Sequence, residues 1–137
     1  MCVNRKLRLN DLYLGVSSAH ELSQILCVNN NIGSISLRKN RLGDEGTRLI
    51  IEKIRKSTDV FSLDLTANEI TPQGSIFIFK ALLDNQTVID LNLSSPDGLY
   101  KNKVGIDGAK FLSHLVANNK FLQFLDVSGT SLCDLGI

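Results

Sequence analysis

The sequence predicts an α/β solenoid, an arc of parallel strands on a concave side with helices on the convex side. Two observations carry this expectation. The stretch Ile35–Gly46, Ile-Ser-Leu-Arg-Lys-Asn-Arg-Leu-Gly-Asp-Glu-Gly, recurs along the chain, and a shift of 28 residues sets Leu63, Leu65, Asn68, Ile70 and Gly74 on Ile35, Leu37, Asn40, Leu42 and Gly46. Between these copies, apolar residues return at helical spacing in two shared columns: Leu22 and Leu26, Ile50 and Ile54, Ile78 and Leu82, Leu112 and Val116. The two patterns occupy different residues and share one register, so each supports the other. A fixed period of this size marks a repeat architecture in which every unit buries its apolar side against its neighbours.

In the first repeat Leu7, Leu9, Leu14 and Ser18 fit the template, with Leu12 where the asparagine should stand. Its strand is expected near Leu7–Leu9 and its helix near Ser18–Val28, capped by Ser17 or Ser18, with Leu22, Ile25 and Leu26 on the inner face. The second helix, about Asp44–Lys56, has an acidic first turn and ends in Arg55-Lys56, the charge order that suits a helix dipole. The third follows Gly74, and its Ile76-Phe77-Ile78-Phe79 run is apolar right around the helix. Phe77 shares a column with Leu49 and Phe111 and is expected between helices. Ile76 or Phe79 is then left over, a candidate second interface on the convex side.

The fourth repeat begins at Leu91 and Leu93 and regains the template at Asn102, Val104 and Gly108 after six extra residues within Ser94–Lys103. Pro96-Asp97-Gly98 is a turn signal there, so the insertion should bulge as a rim loop offering Leu99, Tyr100, Lys101 and Lys103. A fifth copy runs through Leu125, Val127, Thr130 and Leu132 to Gly136. Residues 1–137 thus read as one domain of four repeats and the opening of a fifth. The helix that should cover the fourth is not in the sequence, so the expectation is a piece of a longer repeat protein, or an uncapped array whose C-terminal end another chain covers.

Within the template, the two residues of each Leu-x-Leu pair point the same way from a short strand, which gives a core face and an outward face. The asparagine amide can pair backbone groups of the neighbouring turn that a parallel stack would leave buried and unpaired, so Asn40, Asn68 and Asn102 should form a ladder. The closing glycine permits close backbone approach or a positive φ. Leu-x-Leu-x-x-Asn-x-Leu-x-x-x-Gly recurring in register resembles the leucine-rich repeat family, and more narrowly its ribonuclease-inhibitor-like class with repeats of about 28 residues. The resemblance covers almost the whole chain and implies a right-handed leucine-rich-repeat solenoid shaped as a horseshoe arc. Leu12 and Thr130, in place of asparagine, put the ladder in question at its two ends.

Charge is divided along the arc. Residues 1–56 hold ten Lys or Arg and five Asp or Glu, whereas residues 57–137 hold five and nine. On the strand face Arg8, Arg38 and Lys39 come early, followed by Asp64, Asp90 and Asp126. Such a dipole suits a bipolar partner or head-to-tail association. Nucleic acid is not expected as a partner, because no aromatics interleave the basic residues and the pI is near 7.7. No stretch approaches the roughly 18 apolar residues of a membrane span, and no signal-peptide run opens the chain. Cys2, Cys27 and Cys133 match neither a disulfide framework nor a metal site, which points to reduced thiols and a cytoplasmic protein.

No catalytic constellation, cofactor site or metal site is expected. His20 and His114 fall in different repeats without an evident partner, and the glycines follow the repeat instead of cradling a phosphate. The function predicted is a non-enzymatic protein-interaction module or scaffold that binds a protein through Arg8, Arg38, Lys39, Asp64, Thr66, Asn92 and Asp126, with Tyr100 on the rim loop. Two alternatives come from other classes. The family resemblance implies a regulator of a small GTPase, since Ran GTPase-activating proteins are built from similar repeats. An open end and an apolar third helix instead suit a structural subunit of a cytoskeletal or ciliary assembly.

Overall fold

The computed structural model describes residues 5–28 and 31–132, with the side chains of Cys27 and Val28 excepted. Strand and helix alternate: β1 Arg5–Arg8, α1 Gly15–Val28, β2 Ile32–Ser36, α2 Gly43–Arg55, β3 Ser62–Asp64, α3 Pro72–Leu83, β4 Asp90–Asn92, α4 Gly105–Asn118 and β5 Phe124–Asp126. The five strands form one sheet in sequence order, every neighbouring pair parallel. Leu7, Ile35, Leu63, Leu91 and Leu125 stand opposite one another along it, the register that the 28-residue shift predicts. Successive helices pack side by side.

The core lies between the sheet and the helical layer. Leu63, Leu65, Leu91 and Leu93 from the strand side meet Ile50, Ile54, Ile78 and Leu82 from the helix side, all of them buried. Phe79, taken from the sequence as a candidate surplus residue, is 0% exposed, and Ile76 and Phe77 are half-buried. The third helix is apolar all round because it has neighbours on both sides and a sheet beneath. Of the two surplus candidates only Ile76 keeps part of its surface exposed.

The asparagine ladder is present and buried. Asn68 Oδ1 accepts from the backbone N–H of Asn40 at 3.0 Å, and its Nδ2 donates to the carbonyls of Leu37 at 2.8 Å and Thr66 at 3.2 Å. Asn102 repeats the pattern one turn on, accepting from Asn68 and Ile70 and donating to Leu65 and Leu93. Asn40 does the same for Leu12 and Leu9. The ends, which lack asparagine, are closed otherwise. Leu12 needs only its N–H, and the N–H of Asn102 goes to Ser95 Oγ at 2.7 Å. Thr130 turns its hydroxyl to Val127 and offers its carbonyl to Val104.

A second ladder, not anticipated from the sequence, joins the other ends of the repeats. Asn85 donates to the carbonyl of Ile54 and accepts from the N–H groups of Thr87 and Val88. Asn119 donates to Leu82 and accepts from Phe121 and Leu122. Ser57 stands in the same column and accepts from Asp59 and Val60. The recurrence of Ser57, Asn85 and Asn119 in register was the available signal.

Several local expectations are corrected. Each helix starts about three residues before the template glycine, so Gly46, Gly74 and Gly108 sit in the first turn and serve close packing. A Cβ at Gly108 would meet Val104 Cγ1 at 2.7 Å and Ser75 Oγ at 2.8 Å. Positive φ falls instead on residues that flank the asparagine column, among them Lys39, Arg41, Ala67 and Glu69, each such non-glycine costing roughly 1 kcal/mol. The first helix begins at Gly15, so Ser17 and Ser18 are helical residues, not caps. Ile25 is 52% exposed: its column, buried at Ala81 and Leu115, faces the preceding helix, and none stands before α1 in the described residues. Val116, whose column is buried at Ile54 and Leu82, is 61% exposed because that side faces the next helix. Cys2, Cys133, Gly136 and the side chain of Cys27 lie outside the described residues.

Replacing Asn68 with alanine should cost about 3 kcal/mol, since it strands the N–H of Asn40 and the carbonyl of Leu37 in the core. Asn92→Ala, on the solvent side of the sheet, should cost less than about 1 kcal/mol. Urea denaturation of both variants checks this, and equal losses would show that the ladder is not what holds the turns.

Candidate functional site

The outward side chains of five parallel strands make one surface. Arg8, Ser36, Asp64, Asn92 and Asp126 stand side by side in one row across the sheet, and Lys6, Ser34, Ser62, Asp90 and Phe124 in a second. Asn10 and Arg38 follow the first two strands on the same side. All of these but Asp126 and Phe124 line a shallow trough of about 360 Å³ centred on β2 and β3, where the three serines make a low floor.

The structure separates the predicted site residues into three roles. Arg8, Arg38, Asp64, Asn92 and Asp126 share the strand face, with Arg38 Nε 3.8 Å from Asp64 Oδ2. Thr66 is not a contact residue: it is 1% exposed, and both its N–H and its hydroxyl go to Asp64 Oδ1, so it positions that carboxylate. Ser128 does the same for Asp126, with N–H and hydroxyl at 2.9 and 2.7 Å from Oδ1. Those two bonds hold the Asp126 carboxyl below the ordinary aspartate range. Asn92 accepts from the N–H of Ser94 in the same manner. Lys6, Asn10, Asp97 and Phe124 belong to the surface although the sequence did not single them out. Alternation with Leu125 was enough to place Phe124 outward.

Lys39 and Tyr100 belong to the rim. The inserted loop folds back over the earlier repeats instead of standing free. Lys39 Nζ lies 2.9 Å from Asp97 Oδ2, which raises the lysine pKa and lowers that of the aspartate. Tyr100 lies over Arg41, whose guanidinium carbon is 5.3 Å from the ring centroid, while Arg41 Nε meets Glu69 Oε1 at 3.1 Å. The phenol of Tyr13 beside it raises the Tyr100 pKa. Its carbonyl accepts from the N–H of Glu69. Three turns are thereby stitched by one loop, leaving Leu99 at its exposed tip.

His20 and His114 are exposed on α1 and α4. Among the described residues there is no group of three His, Cys, Asp or Glu side chains that could hold a metal ion, and no helix is long and apolar enough to cross a membrane.

Comparison with known proteins fits this geometry. No protein-family model matches the chain. It is 28% identical over 135 residues to human NACHT, LRR and PYD domains-containing protein 13, and 26% over 160 residues to bovine NACHT, LRR and PYD domains-containing protein 5. Those alignments take in 98% and 99% of this chain but only 12% and 15% of the relatives. FERM domain-containing protein C of Dictyostelium discoideum matches at 27% over 97 residues, 69% of this chain and 6% of that protein. Among solved structures, the C-terminal domain of Caenorhabditis elegans tropomodulin superposes with a TM-score of 0.81 at 17% identity, over 96% of this chain and 77% of that one. Leiomodin-1 Actin-Binding Site 2 superposes with a TM-score of 0.77 at 21% identity, over 89% and 69%. The fold is a leucine-rich-repeat solenoid.

Two predictions concern the surface. Ser128→Ala should raise the Asp126 pKa toward its ordinary value, read by carboxyl NMR titration. The stabilisation that Asp126 gains from its lowered pKa is present above about pH 4 and is lost as pH falls through the folded-state value, so the variant should lose stability at neutral pH but not in acid below that value. On the rim, Tyr100→Ala combined with Asp97→Ala should release the loop. Hydrogen exchange at the N–H of Glu69 would then quicken while that of Asn68, inside the ladder, stays slow.

Proposed function

We propose that this chain is a non-enzymatic protein-interaction module, a scaffold that binds a protein partner through its concave strand face and rim loop. The observation that carries the reading is the row of Asp64, Asn92 and Asp126, one on each of β3 to β5, oriented by their own i+2 neighbours above a buried hydrogen-bond ladder. A surface fixed before binding loses little conformational freedom on association, so a few anchors suffice for affinity. Arg8, Arg38, Asp64, Asn92 and Asp126 are the contacts, Lys39 and Tyr100 hold the rim, and Thr66 acts through Asp64. The partner is a protein, not nucleic acid or a membrane, met in the reducing interior of the cell.

A repeat of 28 residues with a helix of twelve to fourteen residues in each turn supports placement in the ribonuclease-inhibitor-like class. Exposed Val116 on α4 supports cover by further protein at that end, from another chain or further repeats. The second reading, a subunit of a cytoskeletal assembly, is favoured by one observation: a structure with the same fold is described as an actin-binding site of leiomodin-1. The GTPase-regulator alternative has no residue among those described to carry it.

Cross-linking of the protein in its own cells tests both readings. Lys101 and Lys103 report the rim, and Lys53, Lys56, Lys80 and Lys110 the helical side. Links from the rim to one partner, lost when Arg38→Glu and Asp64→Lys are combined, are expected for a concave-face module. Actin or its associated proteins among the hits would establish the second reading. Links from the helical side alone, unchanged by the double reversal, would overturn the concave-face assignment.

A further inference from the structure

The strand face is charged in two halves. Lys6, Arg8 and Arg38 stand over β1 and the end of β2, while Asp64, Asp90 and Asp126 stand on β3, β4 and β5. Between them the floor drops at Ser34, Ser36 and Ser62. Phe124 is the one large apolar side chain exposed on this face among the described residues, 62% accessible at the acidic end. Asp64 and Asp126 each have Oδ1 taken by the residue two further on, which leaves Oδ2 of Asp126 as the oxygen a ligand meets, while Oδ2 of Asp64 is shared with Arg38 Nε at 3.8 Å.

Resting on the concave-face reading, we infer that the partner segment is an α-helix laid across the strands, acidic in one half, basic in the other, with an apolar residue beside the basic half. Spacing favours a helix. Neighbouring strands are about 4.8 Å apart, and a helix advances about 5.4 Å per turn, so one turn falls over each strand across the whole sheet. From Asp64 to Asp126 is two strands, about 10 Å, close to the roughly 10.5 Å between residues i and i+7 of a helix. An extended segment repeats its facing side chains every 6.6 Å or so, and slips out of step within two strands. Five strands span about 19 Å, the length of about thirteen helical residues. The acidic turns face Lys6, Arg8 and Arg38, the basic turns face the fixed carboxylates, and the apolar residue packs on Phe124.

Two stapled helical peptides of fourteen residues and identical composition test this. One carries Glu in its first two turns and Lys in its last two with a terminal Leu, and the other alternates the same charges. Calorimetry should find the segregated peptide bound at least about tenfold more tightly at low salt. The preference should vanish in 1 M salt, where the Debye length is about 3 Å. In the Lys6→Glu, Arg8→Glu, Arg38→Glu variant the face is uniformly acidic, so the segregated peptide should be lost and an all-Lys helix gained. Phe124→Ala should weaken the segregated peptide alone. Equal binding of the two peptides, or equal binding of a proline-containing version that cannot be helical, overturns the inference. If the cellular partner is still released by Arg38→Glu with Asp64→Lys, the concave-face reading stands without it; if the partner is kept, both fall.

Discussion

The structure depends on how buried amides pair the backbone between repeats. Strands of three to five residues contribute few ladder hydrogen bonds, and immediately beyond them the chain turns under the next helix, out of reach of water. There each asparagine takes up an N–H of the preceding repeat and returns its own amide protons to carbonyls on both sides. An unmade bond at such a site costs about 1–3 kcal/mol, so the spacing of the first four repeats is set by the side chains of Asn40, Asn68 and Asn102. Left-handed conformations at Lys39, Arg41, Ala67 and Glu69 follow from bending the chain around those amides.

Rigidity made in this way reaches the outward face. Because the turns cannot slide, Asp64, Asn92 and Asp126 hold a common height and spacing, and Thr66, Ser94 and Ser128 fix their rotamers. The six-residue insertion adds a second restraint from outside. Its tyrosine and aspartate clamp residues of the earlier repeats, so the rim is tied to the same frame as the strands. An exposed ion pair such as Lys39–Asp97 adds little stability by itself. Its effect is to choose one position for the loop.

The same arc is shared with tropomodulin and leiomodin domains at 17% and 21% identity. In this chain the inward leucines and asparagines close the stack. Outward residues are free of that constraint, which is why likeness of fold leaves the partner to be argued from the side chains themselves.

The sequence by itself determined the strand register, the asparagine ladder and the outward direction of Arg8, Arg38, Asp64, Asn92 and Asp126, because period-2 strands and a 28-residue repeat leave one consistent assignment. It did not reach Phe79 or Thr66, whose burial depends on neighbours across the stack and on a bond to Asp64. Ile25 and Val116 were assigned from columns that hold only where a helix stands on both sides. The route of the inserted loop was also beyond it, since Pro-Asp-Gly announces a turn but not that Tyr100 reaches back to Arg41 and Tyr13. Local pattern fixes which way a side chain points. Only the tertiary structure decides what it meets there, because that is set by residues far away in the chain.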